Sequence, residues 1–127
     1  PAKDAMERAM SAFSSHQQLN QQTHSVHGAA WVSLEGDIVA VREDVGRHNA
    51  VDKLLGARAR AALSGEMFPD GFLMVSSRCS FEIVEKAARH GVGALLSISA
   101  PTALALDKAE EAGLQLYARA PGGGARF

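Results

Sequence analysis

Three times between residues 37 and 120 the chain repeats one unit: a short apolar run, a polar loop, then a stretch of helical rhythm. The second and third runs, "GFLMVSS" and "GALLSIS", show no alternation of polar and apolar residues. That is the pattern of strands buried on both faces. A further strand-like run, "LQLYARA", follows the third unit. Strand–helix alternation predicts a mixed, mostly parallel sheet with right-handed crossovers and helices packed on its faces. The fold class expected is α/β, a three-layer α/β/α sandwich.

The remaining segments fit that frame. Ala5, Met6, Ala9, Met10 and Phe13 recur at helical spacing, which predicts an amphipathic helix over residues 1 to about 20. "AAWVSL" and "DIVAVRE" are strand-like and joined by Glu35-Gly36-Asp37, a hairpin that adds an antiparallel pair. "NAVDKLLGARARAAL" places Val51, Leu54, Leu55, Arg58, Ala61 and Ala62 on one face, with Asn49 as the expected cap and Ser64-Gly65 as the stop. The next helix is expected between Ser80 and Gly91, and the last between Pro101 and Gly113.

At 127 residues the chain is the size of one domain. Its net charge of -1 argues against broad binding to nucleic acid or to an anionic membrane. No apolar run reaches the roughly 20 residues of a membrane span, and the first residues show no leader-peptide pattern. The single cysteine, Cys79, cannot form an internal disulfide, which suits a reducing cytoplasm. Pro1 at the start and "PGGGARF" at the end predict a fragment of a longer protein.

Function is expected at one edge of the sheet. "REDVGRHN", "SSRCS", "SAPT" and "ARAPGGG" each follow a strand, and parallel strands end on the same edge. Ligands of open α/β sheets bind beyond the carboxyl ends of the strands. Three of these stretches also lead into helix N-termini, whose unpaired N–H groups suit phosphate. Arg47, Arg78 and Arg119 would add charge-assisted bonds. A second reading stays open, in which Arg47 is only the ion-pair partner of Asp44 or Glu43 and His48 only braces a loop.

Cys79 precedes a helix and neighbours Arg78, two features that lower a thiol pKa. It has no second cysteine, so it reads as a small, semi-buried structural residue. His24 and His27 are spaced like a ligand pair, but no cysteine pair or acidic partner completes a zinc site. The zinc-deaminase pattern and both Gly-rich phosphate-loop motifs are absent.

One long stretch is distinctive. "THSVHGAAWVSLEGDIVAVREDVGRHNAVDKLLG", with "GFLMVSSRCSFEIVEKAARHGVGALLSISAPTALALDKAEEAGLQLYAR" after it, resembles the FdhD family of formate dehydrogenase accessory sulfurtransferases. "REDVGRHNAVDK" is the most specific part. The resemblance covers about Gln18 to Arg119. It implies a fold like that of the cytidine deaminases, without their zinc. It implies a cytoplasmic protein that takes sulfur from a cysteine desulfurase as a persulfide. The sulfur is passed to the molybdenum cofactor, in its bis-molybdopterin guanine dinucleotide form, for formate dehydrogenase. The expected ligands and partners are therefore that cofactor or a guanine nucleotide, the desulfurase, formate dehydrogenase and a second copy of the chain. No tightly bound metal of the chain's own is expected.

The family carries its persulfide cysteine in an upstream C-x-x-C loop that this sequence lacks, so Cys79 does not inherit the role and the chain alone should not transfer sulfur. The family pattern assigns cofactor binding to the segment after the last strand, here Tyr117, Ala118, Arg119, Ala120, Pro121 and Gly122. Pro121 and the glycine run depart from the usual residues. The edge argument adds Arg47, His48, Ser77, Arg78 and Thr102. Two alternatives stand beside this reading: a deaminase-like enzyme acting on nucleosides, and a non-catalytic dimerisation module.

Overall fold

A computed structural model describes residues 2–20, 27–76, 78–119 and 125–126, the side chains of 14–20, 119 and 125–126 excepted. Four helices and six strands follow in the order α1 (Lys3–Asn20), β1 (His27–Ser33), β2 (Ile38–Asp44), α2 (Arg47–Leu63), β3 (Gly71–Val75), α3 (Phe81–Arg89), β4 (Ala94–Ser97), α4 (Ala103–Ala112), β5 (Gln115–Arg119) and β6 (Ala125–Arg126). The strands form one sheet in the order β2-β1-β3-β4-β5-β6. β1 runs antiparallel to both β2 and β3, β3–β4 and β4–β5 are parallel, and β6 turns back antiparallel on β5. Hence β2, β3, β4 and β5 all point one way. The short pairing of β6 with β5 lies beyond "LQLYARA", so one more strand follows that run.

Alternation along β3 builds two cores. Leu73 and Val75 face a layer of α2, α3 and α4, where they meet Val51, Leu54, Ile83, Val84 and Ala105. Phe72 and Met74 face α1 and its Met6, Ala9, Met10 and Phe13. β3 and β4 are apolar on both faces because both faces are covered, as their sequences required. The three-layer α/β/α arrangement follows.

The hairpin forms at Glu35-Gly36, with the Gly36 N–H donating to the Ser33 carbonyl at 2.9 Å. Gly36 has φ of +92°, and a Cβ there would lie 2.7 Å from the Ala5 carbonyl oxygen, so α1 packs directly on this turn. Gly113 ends α4 in the left-handed region at φ 72°, as its position predicts.

Two helix expectations are corrected. α2 is capped at Gly46, not at Asn49, which sits inside the first turn. The last turns of α2 also leave the core: Ala50, Val51, Leu54 and Leu55 are buried, whereas Ala62 and Leu63 are exposed. A helix of 17 residues is about 25 Å long. The five-residue strand β3 spans only about 17 Å, so the helix overhangs the sheet.

Candidate functional site

The common direction of β2, β3, β4 and β5 brings the carboxyl ends of all four strands to one edge, together with the start of β1. The loops after β3 and β4 are tied to each other. The Ser99 hydroxyl donates to the Ser76 carbonyl at 3.1 Å, the Ile98 N–H to the Val75 carbonyl at 3.0 Å, and the Thr102 N–H to the Cys79 carbonyl at 3.0 Å. Ser76 also closes on β1, since its hydroxyl accepts from the Gly28 N–H at 2.8 Å. Buried Ser97 donates to the Ser99 carbonyl. This mesh holds the starts of α3 and α4 side by side.

The starts of the three helices differ in what occupies them. At α4 the Thr102 hydroxyl oxygen accepts from the Ala105 N–H at 3.1 Å, so Thr102 acts as the cap. At α3 Ser80 holds the cap position, but its hydroxyl does not cap, and that oxygen is buried without a partner. At α2 the Gly46 N–H donates to Asp44 Oδ1 at 2.9 Å, and Asn49 Nδ2 approaches the same oxygen at 3.4 Å. The other Asp44 oxygen pairs with Lys53 Nζ at 2.7 Å. Lys53 also donates to the Glu43 carbonyl at 3.2 Å.

The Asp44–Arg47 pair of the second reading does not form, and Asp44 pairs with Lys53 instead. From the first helical position of α2, Arg47 is carried outward, whereas Lys53 lies farther along the helix where its stem reaches back to the carboxylate. Arg47 is exposed, and it makes no ion pair among the described residues. Arg78 is exposed on the neighbouring loop, and His48 is partly buried. Lys53 and Ser97 escaped the sequence reading, and Ser99 entered it only as part of "SAPT". Their only signal was proximity to polar loops, which many surface residues share.

The structure joins Thr102 to the carbonyl of Cys79, the residue after Arg78, and places Ala118 of β5 opposite Ser97 of β4. Tyr117 faces the α1 side instead, packed against that core, and its hydroxyl donates to Gln115 Oε1 at 3.1 Å. Arg119 ends β5. Ser77, Ala120, Pro121, Gly122 and His24 lie outside the described residues. Arg47 and His48 follow β2, which stands four strand positions from β5. At about 4.8 Å per strand that is ~19 Å, so only an elongated ligand touches both ends of the edge. Among the described residues, no three His, Cys, Asp or Glu side chains gather as metal ligands.

Lys53 beside Asp44, aided by the Gly46 N–H, holds its carboxyl down to about 2 from an ordinary 3.8. A carboxyl whose pKa falls on folding stabilises the native state above its unfolded pKa, and that contribution fades as pH drops through the folded value. Melting temperature should thus lose an Asp44-dependent part between about pH 4 and pH 2. The difference between the natural chain and Asp44→Asn should shrink over that window, and a constant difference would contradict the assignment.

Cys79 is completely buried, not semi-buried, and burial pushes its thiol up to about 12. The helix start and Arg78 do not lower it, because desolvation of the thiolate outweighs them. Iodoacetamide at pH 7.5 should label Cys79 only after unfolding. Cys79→Ser should cost about 1–2 kcal/mol in denaturant titration. Rapid labelling of the folded chain would show the thiol to be accessible after all.

A layered α/β protein whose polar loops, helix starts and exposed arginine side chains share one sheet edge is the class defined by this fold and site. A family model described as FdhD/NarQ matches residues 1–126, and the chain belongs to that family. It is 50% identical over 113 residues to the sulfur carrier protein FdhD of Xanthomonas euvesicatoria pv. vesicatoria, covering 89% of this chain and 39% of that protein. Against the protein of the same name from Burkholderia cenocepacia the identity is 49% over 115 residues, 91% of this chain and 40% of that one. The crystal structure of a candidate formate dehydrogenase accessory protein from Desulfotalea psychrophila superposes with a TM-score of 0.78 at 32% identity, covering 96% of this chain and 53% of that one. The chain thus spans about two-fifths of the curated relatives it matches. No described helix is long and apolar enough to cross a membrane.

Proposed function

We propose that this chain is the cofactor-holding part of an FdhD-type sulfur carrier. On this reading the carboxyl edge of the sheet grips the guanine-nucleotide arms of bis-molybdopterin guanine dinucleotide. The family protein meanwhile moves sulfur from a cysteine desulfurase to that cofactor, which then serves formate dehydrogenase in the cytoplasm. The cofactor is substrate here. The observation that carries the reading is the gathering of exposed Arg47 and Arg78 with the starts of α2, α3 and α4 on one edge.

Each part of the edge has a task. The N–H groups at a helix start and the guanidinium groups take phosphate oxygens, with Arg suited to paired contacts. Asp44, neutralised by Lys53, shapes the α2 start without repelling an anion at full charge. The Ser76–Ser99–Thr102 mesh keeps the α3 and α4 starts in register. The ~19 Å breadth of the edge suits a dinucleotide, whose two ends reach separate clusters. Cys79 takes no sulfur, because its buried thiol is neither accessible nor ionised at neutral pH. The persulfide belongs to the upstream C-x-x-C loop that the family resemblance implies.

Calorimetry with GDP, ADP and inorganic phosphate tests the reading. GDP is expected to bind at least about tenfold more tightly than ADP, a margin that one well-placed set of base hydrogen bonds supplies. Equal affinity for both nucleotides would reduce the edge to a general anion site. No binding of any of the three would remove the proposal.

A further inference from the structure

At the opposite edge of the sheet lies a cavity of about 740 Å3, under the overhanging end of α2 and against the starts of β3 and β4. Small-molecule sites have volumes of about 300–1,000 Å3. Leu63, Met67 and Phe68 line one part of it. Leu63 and Met67 are 89% and 73% exposed, which is costly for large apolar side chains that have nothing to cover.

The polar component is Arg58. Its guanidinium lies 4.6 Å from the centre of the Trp31 ring, and one N–H group donates to the His90 carbonyl at 2.9 Å. The ring is itself pinned, because the indole N–H donates to the Pro69 carbonyl at 2.8 Å. Arg58 has no carboxylate partner among the described residues. The cation is thus held in place by stacking and one hydrogen bond, with further donors of its planar fork uncommitted. A group fixed before binding loses little freedom when a ligand arrives.

We propose that this cavity binds a small organic monoanion with a flat apolar body, of the aromatic carboxylate class. Arg58 receives the carboxylate, and Phe68, Met67 and Leu63 cover the body. Asp70 also lines the cavity and offsets part of the positive charge, which disfavours polyphosphates there and separates this site chemically from the carboxyl edge. The inference does not depend on the cofactor reading.

The test is calorimetric titration of the whole chain with 1-naphthoate and with its neutral counterpart 1-naphthamide. Naphthoate is expected to bind saturably at one site, and the amide at least about tenfold more weakly, since it forgoes a charge-assisted bond. Arg58→Met should weaken naphthoate binding roughly 10- to 150-fold while leaving GDP affinity unchanged. The melting temperature of Arg58→Met shows whether that variant is folded. If it is not, the comparison of acid and amide on the unaltered chain decides alone. Equal affinity for acid and amide overturns the proposal, as does a folded Arg58→Met with undiminished binding. Failure to bind naphthoate likewise overturns it, and a dimer that Leu63→Asp dissociates would then assign this face to a contact between two copies.

Discussion

Replacing Arg47 with alanine is expected to lower GDP affinity roughly 10- to 150-fold, the worth of a charge-assisted bond to phosphate. The folded chain should hardly notice. Arg47 is exposed at the first position of α2 and pairs with no carboxylate among the described residues. A cation at a helix N-terminus opposes the helix dipole by about 0.3–1 kcal/mol, so its removal should leave the melting temperature unchanged or slightly raised. A residue that is mildly unfavourable to its own helix is best explained by something it binds. Arg47→Lys should recover only part of the affinity, because a point charge cannot make the paired contact. Affinity should also fall as salt rises. Calorimetry and thermal melting on the same variant separate the outcomes. A lowered melting temperature with unchanged affinity would return "REDVGRHN" to the scaffold.

The largest loss of stability is expected from Gly71→Ala. A Cβ at Gly71 would sit 1.9 Å from the Val32 carbonyl oxygen and 2.8 Å from its carbon. Both are backbone atoms, so no side chain can swing aside. Gly71 opens β3 opposite Ser33, and relief requires β1 and β3 to part at the centre of the sheet. The cost should be roughly 3 kcal/mol or more, the upper range for overpacking. Gly93→Ala is the control, since nothing lies within 4 Å of a Cβ there, and it should change stability by no more than about 0.5 kcal/mol. Urea titrations of the two variants provide the comparison, and equal midpoints would mean that β1 and β3 are not packed as described.

"GFLMVSS" and "GALLSIS" announce strands buried on both faces, and β3 and β4 are covered by helices on each side. Gly113 marks the end of α4 through local backbone chemistry, which a sequence displays directly, whereas the Thr102 cap came from the structure. The shared edge for the carboxyl ends of β2, β3, β4 and β5 followed from strand direction, which the intervening helices imply. β6 was hidden because a two-residue strand has no period to read.

What the sequence by itself determined, then, is what neighbours along the chain govern: the five longer strands, the four helices, their order and the family resemblance carried by "REDVGRHNAVDK". Tertiary structure alone decided what depends on distance through space. It gave Asp44 to Lys53 and left Arg47 without an ion pair among the described residues, because an ion pair forms where two side chains can reach each other on folded elements. It buried Cys79 completely, so that desolvation raises a thiol whose sequence neighbours would lower it. It also carried the end of α2 past the sheet and opened the cavity beside Arg58, a consequence of the mismatch between a 17-residue helix and a five-residue strand. Periodicity is a property of the local backbone, whereas charge partners, solvent exclusion and cavities exist only once distant segments have met.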